Sequence, residues 1–256
     1  MMRLAPAVRA AGVRLVTYDA IGSTNAAALA RARQGERGPL WVVAERQTAG
    51  RGRHGRAWAS EPGNLYATLL LSEAAPSPRA PELAFVAALA VYDAVAEAVP
   101  LLAPRLMLKW PNDLLCDGAK LAGILIEGEG TAVAVGIGVN CRHHPAATSY
   151  PATDLFACGA QVSADDLMDT LSKCMLDRLH QWQRGSGFSA IRHDWLARAH
   201  PRGTTIGVRI GEREVGGRYE GIDDGGRLLL RWADGKLETI SAGDVFPVSP
   251  LPDAVS

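Results

Sequence analysis

From Arg14 to Gly35 a half-polar run, RLVTYDAI, gives way to GSTN and then to an alanine-rich segment; this predicts a strand, a turn and a helix. Ser23 or Thr24 is suited to cap that helix, and Gly35 to close it. PLWVVAERQ and NLYATLLLS predict two further strands on either side of a polar stretch, QTAGRGRHGRAW. ELAFVAALAVYDAVAEAV, framed by Pro81 and Pro100, predicts a helix over about 82–99. Asp93 and Glu97 inside it favour a core-facing helix over a membrane span. Between Arg105 and Asn140 the apolar runs are broken at Pro111-Asn112, Asp117-Gly118 and Gly128-Glu129-Gly130, predicting successive strands. The Asp-Gly pair suits a two-residue hairpin, whose type I′ turn needs positive φ at both positions. Ser163 with Asp166 forms a capping-box pattern for a helix through about Gln183, and FSAIRHDWLARA predicts another. After Pro201-Arg202-Gly203 the chain turns to short β-like runs between Gly/Asp turns, predicting a small β-barrel of about five strands. The expected fold is α+β: a mixed sheet with flanking helices over 1–202 and a small β domain over 203–256.

Composition narrows the function. The 256 residues are 48% hydrophobic and 21% charged, as in an ordinary folded protein. Lys plus Arg and Asp plus Glu each number 27, so the net charge is zero. A non-specific polyanion binder carries a positive surplus, so the balance counts against nucleic acid as partner of the whole chain, though not against one local anion site. The four cysteines, Cys116, Cys141, Cys158 and Cys174, form no C-x-x-C pair and read as free thiols of a reducing, cytoplasmic environment. The N-terminal MMRLAPAVRAAGV lacks the apolar centre of a signal peptide.

The densest chemistry lies in QTAGRGRHGRAW. Gly50, Gly52 and Gly55 spell G-x-G-x-x-G, but Pro62-Gly63 and a strand follow where a dinucleotide fingerprint requires a helix. The P-loop reading fails because Arg56-Ala57 stands where Lys and then Ser or Thr are needed. What remains is a glycine-rich loop between strands, with amides free to approach an anion and with forked donors on Arg51, Arg53 and Arg56. Mutual repulsion among those arginines predicts a loop that moves when empty and orders around a ligand.

Five segments in order, GSTN (Gly22–Asn25), QTAGRGRHGRAW, KWPNDLL (Lys109–Leu115), KLAGILIE (Lys120–Glu127) and GIGVN (Gly136–Asn140), closely resemble the biotin protein ligases. The resemblance implies a class II synthetase-like catalytic domain with an SH3-like C-terminal domain. It also implies ATP-dependent conversion of biotin to biotinyl-adenylate, then transfer to a lysine of a biotin carboxyl carrier protein. Such chemistry brings two anions together and shields a labile anhydride, which calls for placed positive charge rather than an enzyme nucleophile.

Residue by residue, the resemblance implies that Ser23, Thr24, Asn25, Gln47, Gly52 and Gly123 border biotin, with Arg51, Arg53 and Lys120 acting on both biotin and the reacting centre. Arg53, Arg56, Trp58, Lys109, Asn112, Asp113 and Lys120 would serve the nucleotide, Trp58 by stacking, and Asp113 is a candidate for orienting Mg2+. Lys120 would bridge the biotin carboxylate and the α-phosphate. His54 departs from the basic or small residue that relatives place there. Only 22 residues precede Ser23, too few for the DNA-binding domain of bifunctional relatives. A monofunctional enzyme without operator binding is therefore expected, as a monomer or weak homodimer. Lipoate ligases share the architecture and are the nearest alternative. An RNA-binding module would carry aromatic residues between the basic ones and a basic total.

Overall fold

A computed structural model describes residues 2–73, 77–146, 148 and 150–247. Strands β1 (Arg14–Ile21) and β2 (Leu40–Gln47) run parallel, joined across helix α2 (Thr24–Arg33); α1 (Pro6–Ala10) precedes them. Strand β3 (Leu65–Ser72) follows the arginine loop, and α3 (Leu83–Ala98) crosses to β4 (Leu106–Lys109), β5 (Asp113–Cys116), β6 (Ala119–Glu129) and β7 (Ala132–Val139). The seven strands form one sheet in the order β1-β2-β3-β7-β6-β5-β4, antiparallel beyond the β1–β2 pair. Helices α4 (Ala164–Trp182) and α5 (Phe188–Leu196) pack with α3.

Alternation along the strands assigns the two faces. Leu40, Val42, Leu70 and Ala134 pack with Ala28 and Leu29 of α2, while Trp41, Val43, Leu69, Leu71, Val133 and Val135 join the larger core with α3 and α4. Strand β7 shows this most clearly, as AVAVGIGV. Val133, Val135, Ile137 and Val139 fill the large core, and Ala132, Ala134, Gly136 and Gly138 face the other way. At the start of α2, Asn25 lies over Gly136, and beyond it the glycine side of β7 forms a floor.

Local signals in the sequence are matched closely. Ser23 caps α2, Gly35 follows that helix at φ +88°, and Ser163 Oγ accepts from Asp166 N at 3.1 Å. Asp117 and Gly118 turn β5 into β6 with φ of 48° and 78°. The break expected at Gly128-Glu129-Gly130 falls at its last residue, since β6 continues through Glu129 and turns at Gly130. The C-terminal strands β8 (Thr205–Ile210), β9 (Arg213–Ile222), β10 (Leu228–Arg231), β11 (Leu237–Ile240) and β12 (Asp244–Pro247) number five as expected. They pair antiparallel in the linear order β11-β10-β9-β8-β12; no pairing of β11 with β12 closes them into a barrel among the described residues. Residues 248–256 of the expected β domain lie outside the described residues. The two sheets touch through Trp110 Nε1 donating to Gly226 O at 3.0 Å and Lys109 Nζ to Val245 O at 3.1 Å. All four cysteines are free, and no helix among the described residues is long and apolar enough to cross a membrane.

Candidate active site

A cavity of about 510 Å3 opens over the glycine floor. Every residue to which the family resemblance assigns biotin or the nucleotide, from Ser23 to Gly123, lines it, whereas His54 does not. His54 is exposed, at a left-handed φ of 56°, a conformation in which histidine is among the more tolerant side chains.

The first group of lining residues is neutral and polar. The N-terminus of α2 brings Ser23, Thr24 and Asn25 beside the end of β2, where Gln47 Oε1 accepts from Thr24 N at 2.9 Å and from Thr24 Oγ1 at 3.1 Å. Gln47 Nε2 donates to Ser60 Oγ at 3.1 Å, fixing the amide. Asn25 Nδ2 faces Leu125 O at 3.2 Å and Glu127 Oε2 at 2.8 Å. Its Oδ1 accepts from Thr68 Oγ1 at 2.7 Å, and Thr68 Oγ1 also lies 2.8 Å from Thr24 Oγ1. Three contacts here share two hydroxyl protons, because each threonine has only one. With Thr68 donating to Asn25, Thr24 chooses between Thr68 and Gln47, so acceptor capacity is left for a ligand rich in N–H donors. Asn25 fits only because β7 has glycine beneath it: a Cβ on Gly136 would stand 2.3 Å from Asn25 Oδ1.

The second group is buried and charged. Asp113 pairs with Lys109 Nζ at 2.9 Å and with Lys120 Nζ at 2.6 Å. Lys109 also sits 4.2 Å from the centre of the Tyr150 ring. Burial pushes the Asp113 carboxyl up, but Lys120 and Lys109 outweigh it and hold that carboxyl below its ordinary range. Burial pushes the Tyr150 phenol up to about 12, with the Asp113 charge adding to it.

Lys120 reaches this cluster through a β-bulge. Strict alternation would place Lys120 on the core face with Ala122 and Ile124. The pairing instead runs Leu114↔Ala122 and then Leu115↔Lys120, leaving Leu121 as the extra residue, buried in the core. One inserted residue turns Lys120 to the Asp113 face.

The third group is the arginine loop. Arg51 bridges to Ala57, Gly52 N donates to Arg56 O at 2.7 Å, and Trp58 N to Gly50 O at 2.9 Å. The expected repulsion is met by acidic partners. Arg51 Nη2 lies 3.3 Å from Glu127 Oε1, and Asp244 of β12 pairs with Arg53 at 3.4 Å and with Arg56 at 3.0 Å. Arg53 Nη1 also donates to Gly243 O at 3.1 Å and approaches Asn112 Oδ1 at 3.4 Å, while Asn112 Nδ2 holds Ile124 O at 2.5 Å. Beyond the loop, the Trp58 indole lies on the floor. A Cβ on Gly138 would come within 2.6 Å of it and one on Gly123 within 3.0 Å, while Lys120 Nζ is 5.3 Å from its ring centre. Trp58 Nε1 is buried without a hydrogen-bond partner.

Sequence reasoning missed Thr68, Glu127, Tyr150 and Asp244. Glu127 and the floor glycines could have been found, because they fall on one side of KLAGILIE and AVAVGIGV. Asp244 carried no local signal.

The comparisons agree with this geometry. The sequence matches the biotin/lipoate A/B protein ligase family over residues 19–143 and the biotin protein ligase C-terminal domain over residues 203–246. It is 43% identical to a biotin–[acetyl-CoA-carboxylase] ligase of Paracoccus denitrificans, across 88% of this chain and 96% of that protein. It is 38% identical to the enzyme of the same name from Mycobacterium tuberculosis, across 88% of this chain and 85% of that one. Among solved structures, the biotin protein ligase of Aquifex aeolicus in complex with biotin and ATP superimposes with a TM-score of 0.76 at 26% identity, covering 91% of this chain and 97% of that one. On its sequence, its fold and the residues gathered in its cavity, this chain belongs to the biotin protein ligases.

Proposed function

We propose that this protein joins biotin to ATP, forming biotinyl-5′-adenylate and pyrophosphate, and then passes the biotinyl group to a lysine of a biotin carboxyl carrier domain. The observation that carries this reading is the division of one cavity between a neutral hydroxyl-amide group and two sets of cations. A substrate with an uncharged, N–H-rich ring, a carboxylate tail and a triphosphate partner matches all three.

Ser23, Thr24, Asn25 and Gln47 bind the ureido ring, and Gly123 leaves room for the chain that follows it. Lys120, with Arg51 and Arg53, draws the biotin carboxylate toward the α-phosphate and stabilises the charge that builds as oxygen attacks phosphorus. The carboxylate oxygen bonds to the α-phosphorus while the bond to the pyrophosphate oxygen breaks. In the second step the lysine nitrogen attacks the biotinyl carbonyl carbon and AMP departs. Arg56, Lys109 and Asn112 hold the nucleotide, Trp58 gives it a flat apolar surface, and Gly52 lets the loop backbone approach. Asp113 orients both lysines. Its two oxygens face two ammonium groups, and no cluster of three or more acidic, histidine or cysteine side chains stands ready for a metal among the described residues. With Asp113 engaged by both lysines, Mg2+ is read as arriving with the nucleotide phosphates, within reach of this carboxylate. Residues 1–202 constitute the catalytic domain and 203–256 a C-terminal domain that lends Asp244 to the arginine loop. The reaction is placed in the cytoplasm, where carrier domain and ATP occur together.

Incubation with MgATP, an apo carrier domain and either biotin or lipoate, followed by intact mass, tests the assignment. The expected product carries one biotinyl group; modification by lipoate alone would overturn it.

A further inference from the structure

Glu127 touches both the neutral group and the arginine loop. It pairs opposite Ala134, so its side chain rises on the cavity face in line with Gly123 and Leu125. Oε2 accepts from Asn25 Nδ2 at 2.8 Å, and Oε1 faces Arg51 Nη2 at 3.3 Å. A carboxylate and a backbone carbonyl only accept, so Glu127 and Leu125 together engage both amide hydrogens of Asn25 and turn its Oδ1 to Thr68. Thr68 then donates to Asn25, so that link is fixed from the Glu127 end and Thr68 Oγ1 is left to accept from Thr24. The other oxygen of the same carboxylate holds Arg51 over the cavity.

We infer that Glu127 is a positioning residue for the ligase reaction, aligning the amide-hydroxyl chain for the ureido ring while tethering Arg51 across the bound adenylate. The inference rests on the ligase reading above. The two contacts differ in weight. Arg51 is half exposed, and ion pairs of that kind correspond to at most about fivefold. Leaving a buried Asn25 N–H without an acceptor corresponds to about tenfold or more.

Four variants separate these roles: Glu127→Gln, Glu127→Ala, Arg51→Gln and the double variant Glu127→Gln/Arg51→Gln. Three quantities are measured: biotin and ATP KM in pyrophosphate exchange, loss of preformed biotinyl-adenylate from the enzyme, and the thermal midpoint. Glu127→Gln keeps an acceptor for Asn25 but loses the charge, so adenylate loss should quicken about three- to fivefold. Its biotin KM should rise less than that of Glu127→Ala, which should rise about tenfold with ATP KM little changed. Adding Glu127→Gln to Arg51→Gln should change adenylate loss no further. Equal biotin KM in the Gln and Ala variants, unaltered adenylate loss in Glu127→Gln, or additive effects in the double variant would overturn the inference. If Glu127→Ala lowers the thermal midpoint too far to assay, Thr68→Val breaks the same chain one link on, and an unchanged biotin KM there is equally fatal. Absence of adenylate from the wild-type enzyme would overturn the ligase reading itself.

Discussion

Lys109 and Lys120 stand on strands and share one buried carboxylate, whereas Arg51, Arg53 and Arg56 stand on a loop and lean on acidic residues at the cavity rim. Both sets point positive charge into the same cavity, but they are held differently. The lysines are fixed by strand register and a bulge, and neither can leave Asp113 without stranding a charge in a poorly solvated place. The Arg51 and Arg56 pairs are half exposed, so water compensates when they part. The buried set is thus suited to hold the reacting centre in one geometry. The loop set is suited to exchange its carboxylate partners for phosphate oxygens at small cost. Breaking one partner out of a buried ionic cluster typically costs about 3–5 kcal/mol, against about 0–1 kcal/mol for an exposed pair.

The sharpest way to break this contrast is Asp113→Asn, which leaves two lysines facing each other. Chemical denaturation should show a loss of about 3–5 kcal/mol, and a loss under 1 kcal/mol would place the cluster with the exposed pairs. The same variant sharpens the pH dependence. Because Asp113 is held below its ordinary range, its stabilisation is complete above the unfolded carboxylate range and is lost as pH falls through the folded value. The wild-type thermal midpoint should therefore fall in acid, and Asp113→Asn should lose part of that fall.

Lys120→Ala comes next. It should keep the fold yet slow adenylate formation in pyrophosphate exchange by about 100- to 1,000-fold; unchanged exchange would remove Lys120 from the reaction. A smaller effect is expected from Gly138→Ala, whose new methyl would meet the Trp58 indole at 2.6 Å. A loss of about 1–3 kcal/mol and an altered tryptophan emission should result, while unaltered emission would mean that Trp58 does not rest on that floor. The smallest belongs to Asp244→Asn. Stability should change by about 0–1 kcal/mol, with ATP KM equal or lower because the arginines lose a competing anion. A much larger stability loss would make the loop pairs equivalent to the buried cluster.

How much of this was legible in the sequence follows from how local each feature is. The cap at Ser23, the Asp117-Gly118 turn and the strand-helix alternation are written in neighbouring residues, and they were read correctly. The residues of the five compact segments also come together around one cavity, as their order along the chain suggests. The orientation of Lys120 was not legible. Alternation assigns it to the wrong face, and only pairing with β5 reveals the bulge at Leu121. The openness of the C-terminal sheet likewise depends on which distant strands pair. Thr68 looked like any residue of an apolar strand; its importance arises because α2 packs across it and brings Thr24 and Asn25 within reach.

The contacts of Arg53 with Gly243 and Asp244 span 190 and 191 residues. Chains emerge from the ribosome N-terminus first, and domains fold as they appear. The seven-stranded sheet can therefore assemble around its lysines well before the last strand exists to anchor Arg53. The hold on Arg53, like the Lys109 Nζ contact with Val245 O, is thus supplied by the end of the chain rather than by neighbours in sequence.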